Sequence, residues 1–423
     1  MMPVSATPFS WRGIILPAYL PTLLFSLGEG AIIPVIPVVA TERGASLALA
    51  GLIAAMLMVG ELVGDLPAGW VVARIGERNA MIGAALIAVT GVLVALASPT
   101  TVALGVGVFL LGLATAVFGL ARHAFLTSYV PERVRARALS TLAGVFRAGW
   151  AIGPFIAAAI IAVAGTSEPV FWVLVASCFA VVVVLVLLPD PERAFGAARL
   201  AREASATDPD APTAGEAEAA AASQGVFRAI VVHREVLARI GTGIGILAAL
   251  RASRTMILPL WAVSIGMPPE QAALVIGISA TIDFALFYVS GQVMDRFGRM
   301  WSAIPGLLGL AIGHLVLAFT HDVPAAAAWF TAVALLFGVA NGLSSGVILT
   351  LGADLAPKAN PAPFLAGYRT IGDAGQAVAP LVVAGVTSLV SIMAASATMG
   401  VVGLIGAGVL WRYIPKYVPR RLR

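Results

Sequence analysis

Apolar residues in this chain run in blocks of about 20 or more, the length that crosses a bilayer, and polar residues collect between the blocks. Twelve such blocks are legible, at about 13–40, 47–73, 79–98, 101–129, 138–164, 168–189, 236–265, 270–294, 301–320, 325–355, 364–387 and 390–413. The predicted fold is therefore all-α and membrane-spanning. The domains follow the blocks: an N-terminal six-helix bundle over 1–189, a cytoplasmic linker over 190–235, and a C-terminal six-helix bundle over 236–423. The linker is rich in Ala, Glu, Pro and Thr and reads as partly disordered, except that 226–239 alternates apolar and basic residues like a helix lying on the membrane.

Composition agrees, with 60% hydrophobic and 11% charged residues, which excludes an ordinary soluble domain. Of the 26 Lys and Arg, 20 fall in tails, alternate loops and the adjoining block ends on one side, Arg43 alone falls on the other side, and five fall well inside blocks. The positive-inside bias puts both termini in the cytoplasm, so the basic balance implies inner-leaflet contact and no nucleic-acid partner. The first block is too long for a secretory signal and reads as an uncleaved helix. The single Cys178 allows no intrachain disulfide and no cysteine metal cluster.

Ten charged groups interrupt the apolar blocks: Glu29, Glu61, Asp65, Asp283 and Asp373 against Arg122, Arg147, Arg251, Arg254 and Arg369. Left unpaired, at about 3 kcal/mol each they would cost on the order of 30 kcal/mol, more than a typical protein's stability. They must line a wet cavity or pair with one another. Glu29 sits between Gly28 and Gly30, ahead of Pro34 and Pro37; Glu61 and Asp65 share a helical face, as do Arg369 and Asp373. Asn341 stands near Ser344 and Ser345 in the tenth block.

Two loops repeat. Gly291-Gln-Val-Met-Asp295-Arg296-Phe-Gly298-Arg299 has a worn copy in Gly69-Trp-Val-Val-Ala73-Arg74-Ile-Gly76-Glu77-Arg78. Gly291 would let helices pack closely, Asp295 can accept hydrogen bonds at a helix end, and Gly298 supplies a positive-φ turn. Longer stretches repeat as well: Arg147–Pro154 lies over Asp373–Pro380, Gly112 over Gly338, Pro131 over Pro357, Glu29–Pro34 over Arg254–Pro259, and Glu61 over Asp283.

The loop resembles the Gly-x-x-x-Asp-Arg-x-Gly-Arg signature of the major facilitator superfamily, and Gly149, Gly153 and Pro154 resemble the helix-five motif of its antiporters. The resemblance implies two pseudo-twofold-related six-helix bundles and alternating access. It also implies a central path touched by Glu29, Arg122, Arg251, Arg254 and Asn341. Gly69, Arg74, Gly76, Gly291, Asp295, Arg296, Gly298, Arg299 and Asp354 would then form the cytoplasmic gate. Asp354 should join Arg296 and Arg299 in a cluster linking spans eight to eleven, without a first-half counterpart because Ala73 and Ser128 replace the acids. Glu29 is expected to exchange between a proton and Arg254 or Arg251. Glu61, Asp65, Arg147, Asp283, Arg369 and Asp373 are further coupling or charge-pair candidates.

The expected function is secondary transport rather than enzymatic catalysis: proton-coupled export of drugs or amphipathic compounds, or else carriage of a specific organic anion, as the arginines suggest. A sensor that has lost transport is the remaining class. The partners are a small-molecule substrate, protons and lipid; the chain is expected to be monomeric, with no metal or cofactor and no nucleotide-binding loop to power it.

Overall fold

The structure is a computed structural model that describes residues 15–130, 132–188, 231–357 and 362–418. Among the described residues there are twelve helical spans and no strand. They are α1 (Leu16–Glu42), α2 (Leu47–Ile75), α3 (Glu77–Ala97), α4 (Thr101–Tyr129), α5 (Glu132–Ala164) and α6 (Glu168–Leu187). The second six are α7 (Arg234–Ser264), α8 (Pro269–Phe297), α9 (Met300–Phe319), α10 (Ala326–Leu355), α11 (Ala362–Leu389) and α12 (Ile392–Tyr417).

Eleven of these are long and apolar enough to cross a membrane by composition alone; α11 is not among them, because Arg369, Asp373 and Gln376 crowd its first half. It is a span by its packing, set between α2, α7 and α12. Of the predicted linker, residues 190–230 lie outside the described residues, as do Pro189 and Pro131. The surface helix predicted over 226–239 is not a separate element where it is described. From Arg234 the chain is already helical and runs through Leu237–Gly241 directly into α7, with Arg239 donating to the Tyr417 hydroxyl at 2.7 Å. Arg239 has an aromatic partner there, so the chain need not lie flat for that charge to be satisfied.

Two spans are interrupted. α1 turns at Ile33–Val35 around Pro34, then restarts at Ile36 with Pro37 in its first turn, where a missing N–H costs nothing. α10 turns at Ser344–Gly346 and restarts at Val347. By contrast α7 runs helical through Pro259, and α5 through Pro154.

The two halves pack alike. Within the first, α1 lies on α5 and α6, α4 on α2 and α3, and α3 on α6; the same pairs recur six helices later. Glycines make the closest of these approaches. A Cβ at Gly153 would land on the Ala31 amide and 2.5 Å from the Gly30 carbonyl carbon, so α1 and α5 touch backbone to backbone. In the second half a Cβ at Gly375 of α11 would strike the Gly245 carbonyl of α7. Likewise Gly112 of α4 sits on Leu57 of α2, and Gly338 of α10 lies where a Cβ would come 2.5 Å from the Ser279 carbonyl of α8. The predicted Gly112–Gly338 correspondence is therefore one packing contact used twice.

The halves meet along α5 with α8 and α2 with α11, two contacts exchanged by the pseudo-twofold axis. With an even number of spans among the described residues, the two ends of the described chain and the α2–α3 and α8–α9 turns share one face, here called the terminal face. Near the opposite face, Ile36, Leu57, Met58, Met256, Pro259 and Pro380 bring α1, α2, α7 and α11 together around a small, mostly apolar cavity of about 20 Å³. Arg43 lies on that face as a staple: it donates to the carbonyls of Ala95 (2.7 Å) and Ser98 (3.1 Å) and pairs with Glu168 at 2.8 Å. Arg43→Ala should lower stability by about 1–3 kcal/mol, since two carbonyls lose their donor. A thermal-unfolding midpoint unchanged from wild type would argue against the staple.

Candidate functional site

The polar residues of the spans gather into two nests, one per half. In the second half the hub is Asp283 of α8, 8% exposed. Its Oδ1 accepts from Arg147 of α5 at 2.9 Å, across the boundary between halves. Its Oδ2 accepts from Arg254 of α7 at 3.2 Å and from the Asn341 amide of α10 at 2.7 Å. Asn341 in turn accepts from Arg251 Nε at 2.7 Å, and Arg254 reaches the Ser279 hydroxyl at 3.4 Å. The Ser345 hydroxyl faces Asp283 Oδ1 at 3.5 Å. Four helices thus converge on one carboxylate, and the turn in α10 at Ser344–Gly346 brings Ser345 to it. Three guanidiniums surround this single acid.

In the first half the hub is Glu29, 1% exposed. The Thr115 hydroxyl of α4 donates to its Oε1 at 2.7 Å and the Trp150 indole of α5 to its Oε2 at 2.9 Å. Neither donor is charged. The predicted pairing of Glu29 with Arg254 or Arg251 is not present: Glu29 is held by Thr115 and Trp150 of its own half, and Arg254 and Arg251 bond to Asp283, Ser279 and Asn341 of theirs. The Gly149–Gly153 contact presses α5 onto α1 and delivers Trp150 to the carboxylate, while Asp283 and Asn341 lie closer to the arginines. Thr115 and Trp150 escape the sequence reading, the first as a lone hydroxyl in an apolar block, the second inside a motif read for its glycines.

Arg122 of α4 lies in the electrostatic field of Glu29 and Glu61 and rests on the Phe146 ring at 4.5 Å, with its Nε buried and unpartnered. Glu61 makes no hydrogen bond or ion pair among the described residues and neighbours Glu29, Asp65 and Asp373 through space. On α11, Arg369 and Asp373 pair one turn apart at 3.5 Å, with Asp65 of α2 facing them. Asp373 and Arg147, matched in the repeat, have different partners. His314 is wholly buried against Phe337 with Nδ1 3.2 Å from the Ser396 hydroxyl, and Cys178 is a buried core residue.

At the terminal face Gly76 and Gly298 both hold positive φ, +79° and +95°, ending α2 and α8 in equivalent turns. Arg299 donates to Asp354 of α10 at 2.8 Å and to Asp295 at 3.4 Å. The hydrogen bond with Asp354 is the first cause raising the guanidinium pKa above its ordinary value, so Arg299 stays charged at any working pH. Arg296 stacks on Phe297 at 5.4 Å and joins neither acid, and the cluster links α8, the α8–α9 turn and α10 without reaching α11, so it is smaller than predicted. In the first half Arg74 lies over the Trp70 ring at 5.4 Å, while the Ser128 side chain lies outside the described residues.

Gly291 also departs from its predicted role: a Cβ there meets nothing within 4 Å, and one at Gly69 meets only Leu120 at 3.9 Å. Neither is a close-packing glycine. Asp354→Asn should slow transport more than Asp295→Asn, because Asp295 is 82% exposed and its longer contact is screened. The two variants' initial rates at equal expression measure this; equal rates would show that the Arg299–Asp354 pair matters no more than the Arg299–Asp295 pair.

Comparison with known proteins supplies the remaining context. The galactose–proton symporter of Escherichia coli (strain K12) is 26% identical over 182 residues, 43% of this chain and 39% of that protein. The match thus spans about two fifths of that relative's length. A triacylglyceride transporter of Mycobacteroides abscessus is 35% identical over 91 residues, 22% of this chain and 17% of that one. Among solved structures, a POT family transporter in complex with a thioalcohol-conjugated peptide superposes with a TM-score of 0.72 at 13% identity, covering 96% of this chain and 97% of the other. A D-xylose–proton symporter gives 0.71 at 17% identity, covering 97% and 99%. These likenesses establish the fold alone. The family profile described as Major Facilitator Superfamily matches residues 19–380, most of the chain, and with twelve spans in two matching halves around buried polar nests the protein belongs to the major facilitator superfamily of transporters.

Proposed function

We propose that the protein is a proton-coupled secondary transporter of a small solute, with Glu29 as the proton site. The observation that carries this reading is the pair of donors on Glu29. Trp150 can only donate, so it holds Oε2 whether the acid is charged or neutral. Thr115 is ambivalent. Its hydroxyl lies 2.7 Å from Oε1 and 3.1 Å from the Leu111 carbonyl, so it donates to a carboxylate, or turns to Leu111 and accepts from a carboxylic acid. A proton can arrive or leave with every hydrogen bond kept. A carboxylate fixed to an arginine would have no such second state.

The terminal face is assigned to the cytoplasm by its lysines and arginines, in the cell membrane. Symport is favoured over drug export: the partial sequence match to a galactose–proton symporter supports it, and the contact with α1 accounts for Gly149 and Gly153 without any bearing on direction. Inverted membrane vesicles with an imposed pH gradient test the reading. Symport moves solute in the same direction as protons, export against them, and a flux indifferent to the gradient in every solute tried would overturn proton coupling.

A further inference from the structure

We propose that Arg147, Arg251 and Arg254 form a binding site for a small oxyanion, a carboxylate or a phosphate, and that Asp283 is a built-in counterion which the solute displaces. The proposal deepens the transporter reading by naming the solute class.

Guanidinium groups stay charged at all working pH values, so one carboxylate among three of them leaves a local surplus of two positive charges in this cluster. Arg251 lies in the field of both Arg147 and Arg254, and that repulsion is only partly offset by Asp283. The donors are also incompletely used. Arg251 Nη2 and Arg254 Nε are buried and have no hydrogen-bond partner. A charged donor buried without an acceptor costs several kcal/mol, and an isolated arrangement of this kind is retained where something else completes it. A neutral sugar supplies hydroxyls but no charge, and a cation would be repelled. A carboxylate or phosphate supplies charge and paired oxygens that match the guanidinium fork. Of the acids of the other half, Glu29 is held by Thr115 and Trp150, and no hydrogen bond or ion pair among the described residues joins Glu61 to this arginine cluster.

Displacement of Asp283 has a mechanical consequence. Arg147–Asp283 is the ion pair that joins α5 of one half to α8 of the other. An oxyanion that takes over Arg147 and Arg254 releases that bond, so occupancy loosens the contact along which the halves must move. Asp283 here competes with the solute; it is not part of the solute's binding shell.

Binding to the full chain, purified into nanodiscs of zwitterionic lipid, tests this with no proton gradient present, so failure of proton coupling and failure of this site are separate results. The probes are inorganic phosphate, acetate, succinate, galactose and choline, titrated calorimetrically. One or more oxyanions should bind, with galactose and choline silent; the phosphate and carboxylate arms tell the two sources of oxyanion apart. Arg251→Gln should weaken that binding about tenfold or more, and Arg254→Lys, which keeps the charge and removes the fork, should do the same. Asp283→Asn, nearly isosteric, should tighten it several-fold by removing the competitor. Binding of galactose alone, arginine variants that bind oxyanion like wild type, or an Asp283→Asn variant that unfolds no more readily than wild type yet binds oxyanion more weakly would each overturn the proposal. Should Asp283→Asn fail to fold, Arg254→Lys decides the matter.

Discussion

Glu29→Gln should abolish accumulation driven by a pH gradient while solute exchange across the membrane continues. A gradient of one pH unit is worth about 1.4 kcal/mol per proton, which supports about a tenfold solute ratio at one proton per solute. In the variant that ratio should fall to about one. Glutamine suits the site sterically: its carbonyl can accept from Trp150 and its amide can donate to Thr115, which then turns to the Leu111 carbonyl. The substitution therefore imitates the protonated acid and holds the site in one of its two states. Exchange, which needs no net proton movement, should persist. Thr115→Val is a companion variant, since it leaves Glu29 only the donor-only indole and should reduce proton-driven flux without removing the carboxylate. A Glu29→Gln protein that still concentrates solute against its gradient would move the proton site to Glu61 or Asp373.

The second large effect concerns folding. Gly153→Ala places a Cβ on the backbone of Ala31 and 2.5 Å from the carbonyl carbon of Gly30, and neither can swing aside as a side-chain tip could. Overpacking of this kind typically costs about 1–3 kcal/mol, and here the two helices must separate to relieve it. Trp150 would be drawn away from Glu29 in the same movement. Gly291→Ala meets nothing within 4 Å and lies in the last turns of α8, so it should be neutral or gain up to about 1 kcal/mol from helix propensity. Size-exclusion profiles and apparent melting in detergent compare the two. Equal melting of Gly153→Ala and wild type would show that the α1–α5 contact has slack.

Both results bear on what each glycine signal means. The helix-five glycines and the loop glycines look alike in sequence, each at small-residue spacing near a charge. Gly153 is buried against backbone, whereas Gly291 packs against nothing, because the loop pattern is carried by the positive φ of Gly298 and the Arg299–Asp354 pair instead.

Spans, halves and the family were readable from residues alone, because their cause is local: a bilayer requires about 20 apolar residues per crossing, and duplicated segments keep that spacing. Even α11, the least apolar span, is marked by its match to α5. The ten intramembrane charges were legible for the same reason, since each is costly wherever it stands. Their partners were not. Glu29 and Arg254 occupy matching places in the repeat, and opposite charge suggested that they meet. The fold instead turned each into its own half, where the glycine-tight α1–α5 contact presents Trp150 to one and α8 and α10 present Asp283 and Asn341 to the other. Which partners each acid meets depends on donors brought from three or four helices. Only packing, which no sequence spacing encodes between distant spans, decides that.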